Sequence, residues 1–235
     1  MVILPSAYMP SVEYVARLLR EECVIDLGEN YVKRSERNRA SILSANGVMQ
    51  LTVHVENANR PRQPIRDVRI DYSKRWQHQH WVSILSAYKS SPYFDHFASE
   101  LEPFYRREWR FLVDYNMEYT ATLLRLLGAK CDLHTSEQYV TATEGDIDLR
   151  PKTKEGSTFH AQPYFQVFSD RMPFAENLSV LDLLLCGVFR MDVAGAAIAS
   201  ALAAAVNAAV IFLIGYIKRT HIRAPLHQVL DIRGD

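Results

Sequence analysis

Cysteine is scarce: Cys23, Cys131 and Cys186 are the only three in 235 residues, and they lie far apart. No C-x-x-C pair and no Cys/His zinc spacing occurs, which argues against a disulfide framework and fits a reducing compartment. The nine glycines form no Walker-type, phosphate-cradling loop. The opening MVILPSAYMP has neither a basic segment nor a long apolar run, so no secretory signal is expected and the main domain is expected in the cytoplasm. Net charge is also lacking, since 27 Lys/Arg balance 27 Asp/Glu. That balance, without a reader motif, argues against nucleic acid as the partner.

What is present is an ordinary globular composition, 48% hydrophobic and 23% charged, enough to bury a full core. Residues 2–4 are expected to be a buried strand ended by Pro5. Ser11 caps an amphipathic helix over 11–22, and a second strand covers 23–27. Such a strand–helix–strand opening builds parallel sheets. Asn46-Gly47 marks a hairpin of type I′, followed by a strand in which Leu51, Val53 and Val55 share one face. A short strand is expected over 67–71, a helix from about Ser73 to Tyr88, one long helix over 103–127 closed by Gly128, and strands over 131–134 and 164–168. Residues 144–158 read as a polar loop. Ser179 and Asp182 form a capping box opening a leucine-rich helix. The expected fold is α/β, with a mixed, partly parallel sheet flanked by helices in 1–187 and an apolar helical tail in 188–235.

Charge is unevenly spread. From Lys33 to Arg75 there are ten Lys/Arg against four Asp/Glu, a surplus of six. Such asymmetry speaks to partners rather than fold. It points to one wall of a cleft for a small anionic substrate. Lys33, Arg34, Arg37, Arg39 and Arg69 are candidates to hold phosphate, because guanidinium forks make bidentate bonds to its oxygens. Asn30, Tyr31, Asn38, Tyr8, Trp76 and Gln166 are candidate contacts to a sugar or base. His80 and Asp71 are candidates for proton transfer, although Asp71 equally suits a helix cap. His78 and His80 are two apart on a helix and point in different directions, so no metal site is read from them. His54, Glu56 and Thr52 read as a solvated strand face, with a base-plus-orienter pair of His54 and Glu56 as the alternative. Ser6 has neither the elbow nor the adjacent base that a nucleophile needs. The sequence names no cofactor.

In LPSAYMP, ENYVKRSERNR, SANGVMQLTV, PIRDVRIDYSKRWQHQHW, YFQVFSD and ENLSVLDLL, taken in order over about residues 2–187, the chain resembles the WbqC-like family of bacterial proteins. The resemblance implies a setting in surface-polysaccharide (O-antigen) synthesis. It also implies a transferase or ligase acylating or aminoacylating an amino sugar carried on a nucleotide. The opening strand–Pro-turn–helix is loosely similar to that of HIGH-type nucleotidyltransferases, but the His and Gly of that motif are missing here.

Residues 193–217 carry no charge and ten alanines. As a helix they would be roughly 38 Å long, enough to cross a hydrocarbon core. The basic residues Lys218, Arg219 and Arg223 follow them, against the positive-inside bias for a cytoplasmic main domain. Inner-membrane association and packing on the domain or on a partner both remain readings of this tail. A non-catalytic, membrane-associated binding or scaffold protein is the alternative to the enzyme.

Overall fold

The computed structural model describes residues 1–151 and 159–187. The chain opens with β1 (Val2–Leu4), α1 (Val12–Arg20) and β2 (Cys23–Asp26). A hairpin of β3 (Arg39–Ser44) and β4 (Gly47–Thr52) follows, then a 3₁₀ turn (Ile65–Asp67) and α2 (Trp76–Tyr88). Next come α3 (Phe94–Leu101), α4 (Pro103–Arg106), α5 (Leu112–Leu126), β5 (Thr135–Ser136), β6 (Ile147–Asp148) and α6 (Val180–Cys186).

β1 is buried throughout, as expected of a strand covered on both faces. It pairs in parallel with β2 and with β6, and β2 pairs in parallel with β5, giving the order β5-β2-β1-β6. The principal sheet is thus wholly parallel, and the only antiparallel ladder among the described residues is the separate β3–β4 hairpin. α1 makes the crossover from β1 to β2. Ser11 caps it, its Oγ accepting from the Tyr14 N–H.

Several expectations shift. At the hairpin tip Ser44 pairs with Gly47, so the central residues are Ala45 and Asn46. Gly47 alone takes a positive φ, +105°, which is a turn followed by a left-handed glycine rather than a type I′ turn. The apparent helix over 103–127 is broken, because Arg107 is extended and the backbone at 110–112 pairs sideways. The Ile70 N–H donates to the Arg110 carbonyl and the Leu112 N–H to the Val68 carbonyl. Tertiary pairing overrides helix propensity there. The same contacts reduce the expected strand over 67–71 to single bridges. Gly128 does end α5, at φ +69°. The strand expected at 131–134 lies instead at Thr135–Ser136, and β6 sits inside what reads as a polar loop. Residues 164–168 form no strand. The Gln166 side chain holds the segment by bonding both the N–H and the carbonyl of Ala175.

The core is aromatic. Trp76 and His80 of α2, Tyr105 of α4, and Tyr115 and Tyr119 of α5 surround Tyr8, and all are buried. Tyr8 shares a 2.9 Å hydrogen bond with His80 Nδ1, and the Tyr105 and Tyr119 hydroxyls lie 3.1 Å apart. At the far end, buried Asp182 accepts from Tyr88, Tyr164 and Gln166. Ser179 caps α6 as expected, but Asp182 turns inward instead of closing the capping box. Among the described residues no helix is long and apolar enough to cross a membrane. Residues 193–217 lie outside the described residues.

Candidate anion-binding site

Open parallel sheets place ligands beyond the carboxyl ends of their strands. Here those ends carry buried charge. β2 ends on Asp26 and continues through Gly28 to Glu29, and β6 ends on Asp148 and continues to Arg150. Gly28 is required by contact: a Cβ there would lie 2.2 Å from the backbone of Gln138 and Tyr139. Arg150 pairs with Asp26 and, at 2.6 Å, with Asp148, while its guanidinium covers the Tyr139 ring. Arg37 is clamped by both oxygens of Glu29 and also donates to Ser35 Oγ and the Arg150 carbonyl. Burial pushes the Glu29 carboxyl up to about 7, with Arg37 pulling against it. The two arginines thus form a closed ledge with three carboxylates.

Above the ledge lies a hollow of about 350 Å³, lined by Pro5, by Arg34, Ser35, Glu36, Arg37 and Arg39, by Ser41 and Gln50 of the hairpin, and by Leu149–Pro151. Four of the lining side chains are arginines. Glu36 also lines the hollow, and Arg37 and Arg150 are engaged from below by three carboxylates, so the cations left without a described carboxylate partner are Arg34 and Arg39. Neither forms an ion pair with a described carboxylate. Arg39 donates to Gln50 at 3.2 Å, leaving most of its fork unused. Arg34 is exposed and sits at φ +58°. That left-handed conformation is uncommon outside glycine, and Met9, Asn57, Arg62 and Asn177 share it among the described residues. The loop is held around it: Ser35 Oγ donates to the Val32 carbonyl at 2.6 Å, and the Tyr8 N–H to the Glu36 carbonyl at 2.8 Å.

A second hollow, of about 300 Å³, shares Arg34 and Arg39 with the first and is lined also by Tyr31, Lys33, Asn38, Thr52–Val55, Ala58 and Asn59. Lys33 reaches Asn59 Oδ1 at 2.8 Å. His54 lines it, half-buried. Its pKa is lowered by burial and by Lys74, while Asp71 opposes the shift. The ring is therefore neutral near pH 7 and able to take a proton.

Lys33, Arg34, Arg37, Asn38, Arg39 and Tyr31 thus come together around these two hollows, beside the opening turn. Arg69 does not. It lines a separate hollow with Glu56, Arg60, Asp67 and Phe111, drawn there by the bridge between Arg69 and Phe111. Arg37 is spent on Glu29, so it shapes the ledge rather than offering a free fork. Asn30 is exposed and bridges Pro64.

Tyr8 and Trp76 are fully enclosed by the aromatic core, with no face for a ligand. Gln166 belongs to the Asp182 network. His80 is buried and lines none of these hollows. Burial lowers its pKa to about 4, and its ring is engaged by Tyr8 and by the Thr52 backbone. Asp71 accepts from the Ser73 N–H at 2.8 Å, which holds its carboxyl below the usual range and makes it a turn cap and a weak base. Ser6 is buried and within 3.3 Å of the Asn116 side-chain amide.

Sequence reasoning passed over Asp26, Glu29, Asp148 and Arg150, and placed His54 on a solvated face with a base-plus-orienter role only as the alternative. Asp26 had a signal, an acid ending the apolar run CVID. Arg150, in a polar stretch, had none.

An uncharacterised protein of Mycobacterium tuberculosis, Rv1507c, is 33% identical to this chain over 88 residues. That stretch is 37% of this chain and 38% of the relative, so the match spans well under half of the relative's length. No solved structure matches the chain. Residues 6–158, which include the strand ends, the basic loop and the hairpin, match the WbqC-like protein family, and the chain belongs to that family.

Proposed function

We propose that this protein binds a nucleotide sugar, with its phosphates on Arg34 and Arg39, and serves the acylation or aminoacylation of an amino sugar in bacterial surface-polysaccharide synthesis. One observation carries the reading. At the carboxyl ends of a parallel sheet, a hollow of about 350 Å³ is walled by two arginines unpaired with any described carboxylate, over a ledge whose own arginines are already paired. Phosphate oxygens suit those two guanidinium groups through charge-assisted, bidentate bonds. The polysaccharide setting and the acyl chemistry come from the family resemblance.

In such a transfer the sugar amine attacks the carbonyl carbon of an activated acyl donor. A C–N bond forms, the bond to the leaving group breaks, and the nitrogen gives up a proton. His54 is the residue we assign to take it, because it is neutral and lines a hollow that adjoins the arginines. His80 lacks that access. A base near its working pH in reach of the proton is what the step requires.

Calorimetric titration of the full chain with nucleotide sugars tests the reading. Binding is expected to weaken with salt and to fall at least tenfold in the Arg34→Ala/Arg39→Ala double variant, since each charge-assisted bond contributes about 1.5–3 kcal/mol. No heat with any nucleotide sugar, or unchanged affinity in the double variant, would end it.

A further inference from the structure

The hollow that collects Arg69 is separate from the anion site and measures about 360 Å³, near the lower end for pockets that take small molecules. Part of its wall is a short ribbon. Val55 bridges Ile70, the Glu56 N–H donates to the Arg69 carbonyl at 2.9 Å, and the Asp71 N–H donates to the His54 carbonyl at 2.9 Å. Val55 and Ile70 are buried, so alternation sets Glu56 and Arg69 opposite each other on the outer face. Another part is the 3₁₀ turn. There the buried Gln63 side chain donates to the Asp67 carbonyl at 3.4 Å, and the Asp67 N–H donates to the Pro64 carbonyl at 3.0 Å. Arg60 lines the hollow as well, and half-buried Phe111, tied to Arg69 by their bridge, adds an apolar wall.

Two cations and two anions thus line one hollow. Glu56, Arg60, Asp67 and Arg69 are all exposed, so a ligand seated there can reach them. None of these four side chains makes a hydrogen bond or an ion pair with a described residue. Arg60 and Arg69 would attract an anion, but Glu56 and Asp67 repel it. A cation meets the reverse. A molecule that carries both signs a few atoms apart satisfies all four. Its carboxylate accepts from the guanidinium groups, and its ammonium donates to the carboxylates.

We infer that this hollow binds a small zwitterion of the α-amino acid class. Arg60 and Arg69 hold its carboxylate, Glu56 and Asp67 hold its ammonium, and its carbon skeleton lies beside Phe111. The site goes beyond the anion reading above and does not depend on it.

The test titrates free L-amino acids into the full chain, followed by ¹H–¹⁵N NMR. Each is run beside its α-amide, which lacks the carboxylate, and its N-acetyl form, which lacks the ammonium. At least one free amino acid is expected to bind and to move the Arg69 and Phe111 signals. Each of its blocked forms is expected to bind at least tenfold more weakly, roughly the worth of one charge-assisted bond. The Arg60→Gln/Arg69→Gln variant is expected to erase the preference over the amide, and Glu56→Gln/Asp67→Asn the preference over the N-acetyl form. Because the four side chains have no described partner, both variants are expected to keep the parent's thermal midpoint. No binding of any free amino acid at millimolar concentration, or equal binding of free and blocked forms, overturns the inference in the parent chain alone. A preference that survives both double variants overturns it too. Failure of every nucleotide sugar to bind ends the anion reading and leaves this site standing.

Discussion

Arg37 and Arg39 are two residues apart, yet they meet opposite surroundings. Arg37 is 1% exposed and saturated by Glu29, Ser35 and a backbone carbonyl. Arg39 is half-buried, pairs with no described carboxylate and keeps an unpartnered Nε. The same split separates Arg150 from Arg34. A basic run is therefore not one surface. The inner arginines tie strand ends together, and the outer ones are left to meet something from solution. Charge bound into a ledge contributes to folding. Charge held apart from carboxylates is free to meet an anion from solution.

The contrast can be broken from either side. Arg150→Ala removes the shared partner of Asp26 and Asp148 and leaves at least one buried, unpaired carboxylate. Its stability in urea is expected to drop by about 3–5 kcal/mol, the usual result of breaking a buried pair from one side. A drop under about 1 kcal/mol would mean that the ledge is not structural.

A smaller effect is expected at His80. Its folded pKa of about 4 lies below the ordinary 6.5. In that window the unfolded chain takes up a proton that the native chain refuses. The contribution of His80 to stability is therefore complete above about pH 6.5 and is lost as pH falls toward 4. The urea midpoint should decline over that range, and His80→Gln should flatten part of the decline. An NMR titration of the His80 ring with a midpoint near 6.5 would contradict its sealed position.

The smallest effect on stability is expected at Arg34. Arg34→Gly places at φ +58° the residue that occupies that region most freely. Stability should therefore change by no more than about 0.5 kcal/mol, while nucleotide-sugar affinity falls. Loss of stability beyond about 1 kcal/mol would move Arg34 to the structural side of the contrast.

Where local pattern and tertiary packing agree, the chain could be read directly. The β1–α1–β2 unit, the hairpin near Gly47, the Ser11 and Ser179 caps and the Gly128 stop follow from residue type and period. β5 and β6 are two residues each, too short to show a period, and exist because β2 and β1 offer them edges. The break before α5 was hidden because Tyr105, Trp109 and Leu112 keep helical spacing across a segment that is not helical. In the site, position along the chain located the arginine loop but not what each side chain meets. Arg37 is taken by Glu29, eight residues earlier, and Arg150 arrives from more than a hundred residues away. His80 was a candidate because histidine titrates near neutral pH, and its packing against Tyr8 and Trp76 is what seals it. His54 looked solvated because it alternates with Val53 and Val55, but it is half-buried in the second hollow, whose other walls come from residues 31–39 and 58–59.

A two-dimensional ¹H–¹⁵N NMR spectrum of the full chain, recorded with and without a nucleotide sugar, tests the central claim most directly. The account predicts that the backbone signals of Arg34, Glu36, Arg39 and Arg150 move together with rising ligand, while those of Trp76 and His80 in the aromatic core hold still. Shifts gathered instead around Arg69 and Phe111, or no shifts at millimolar ligand, would contradict it.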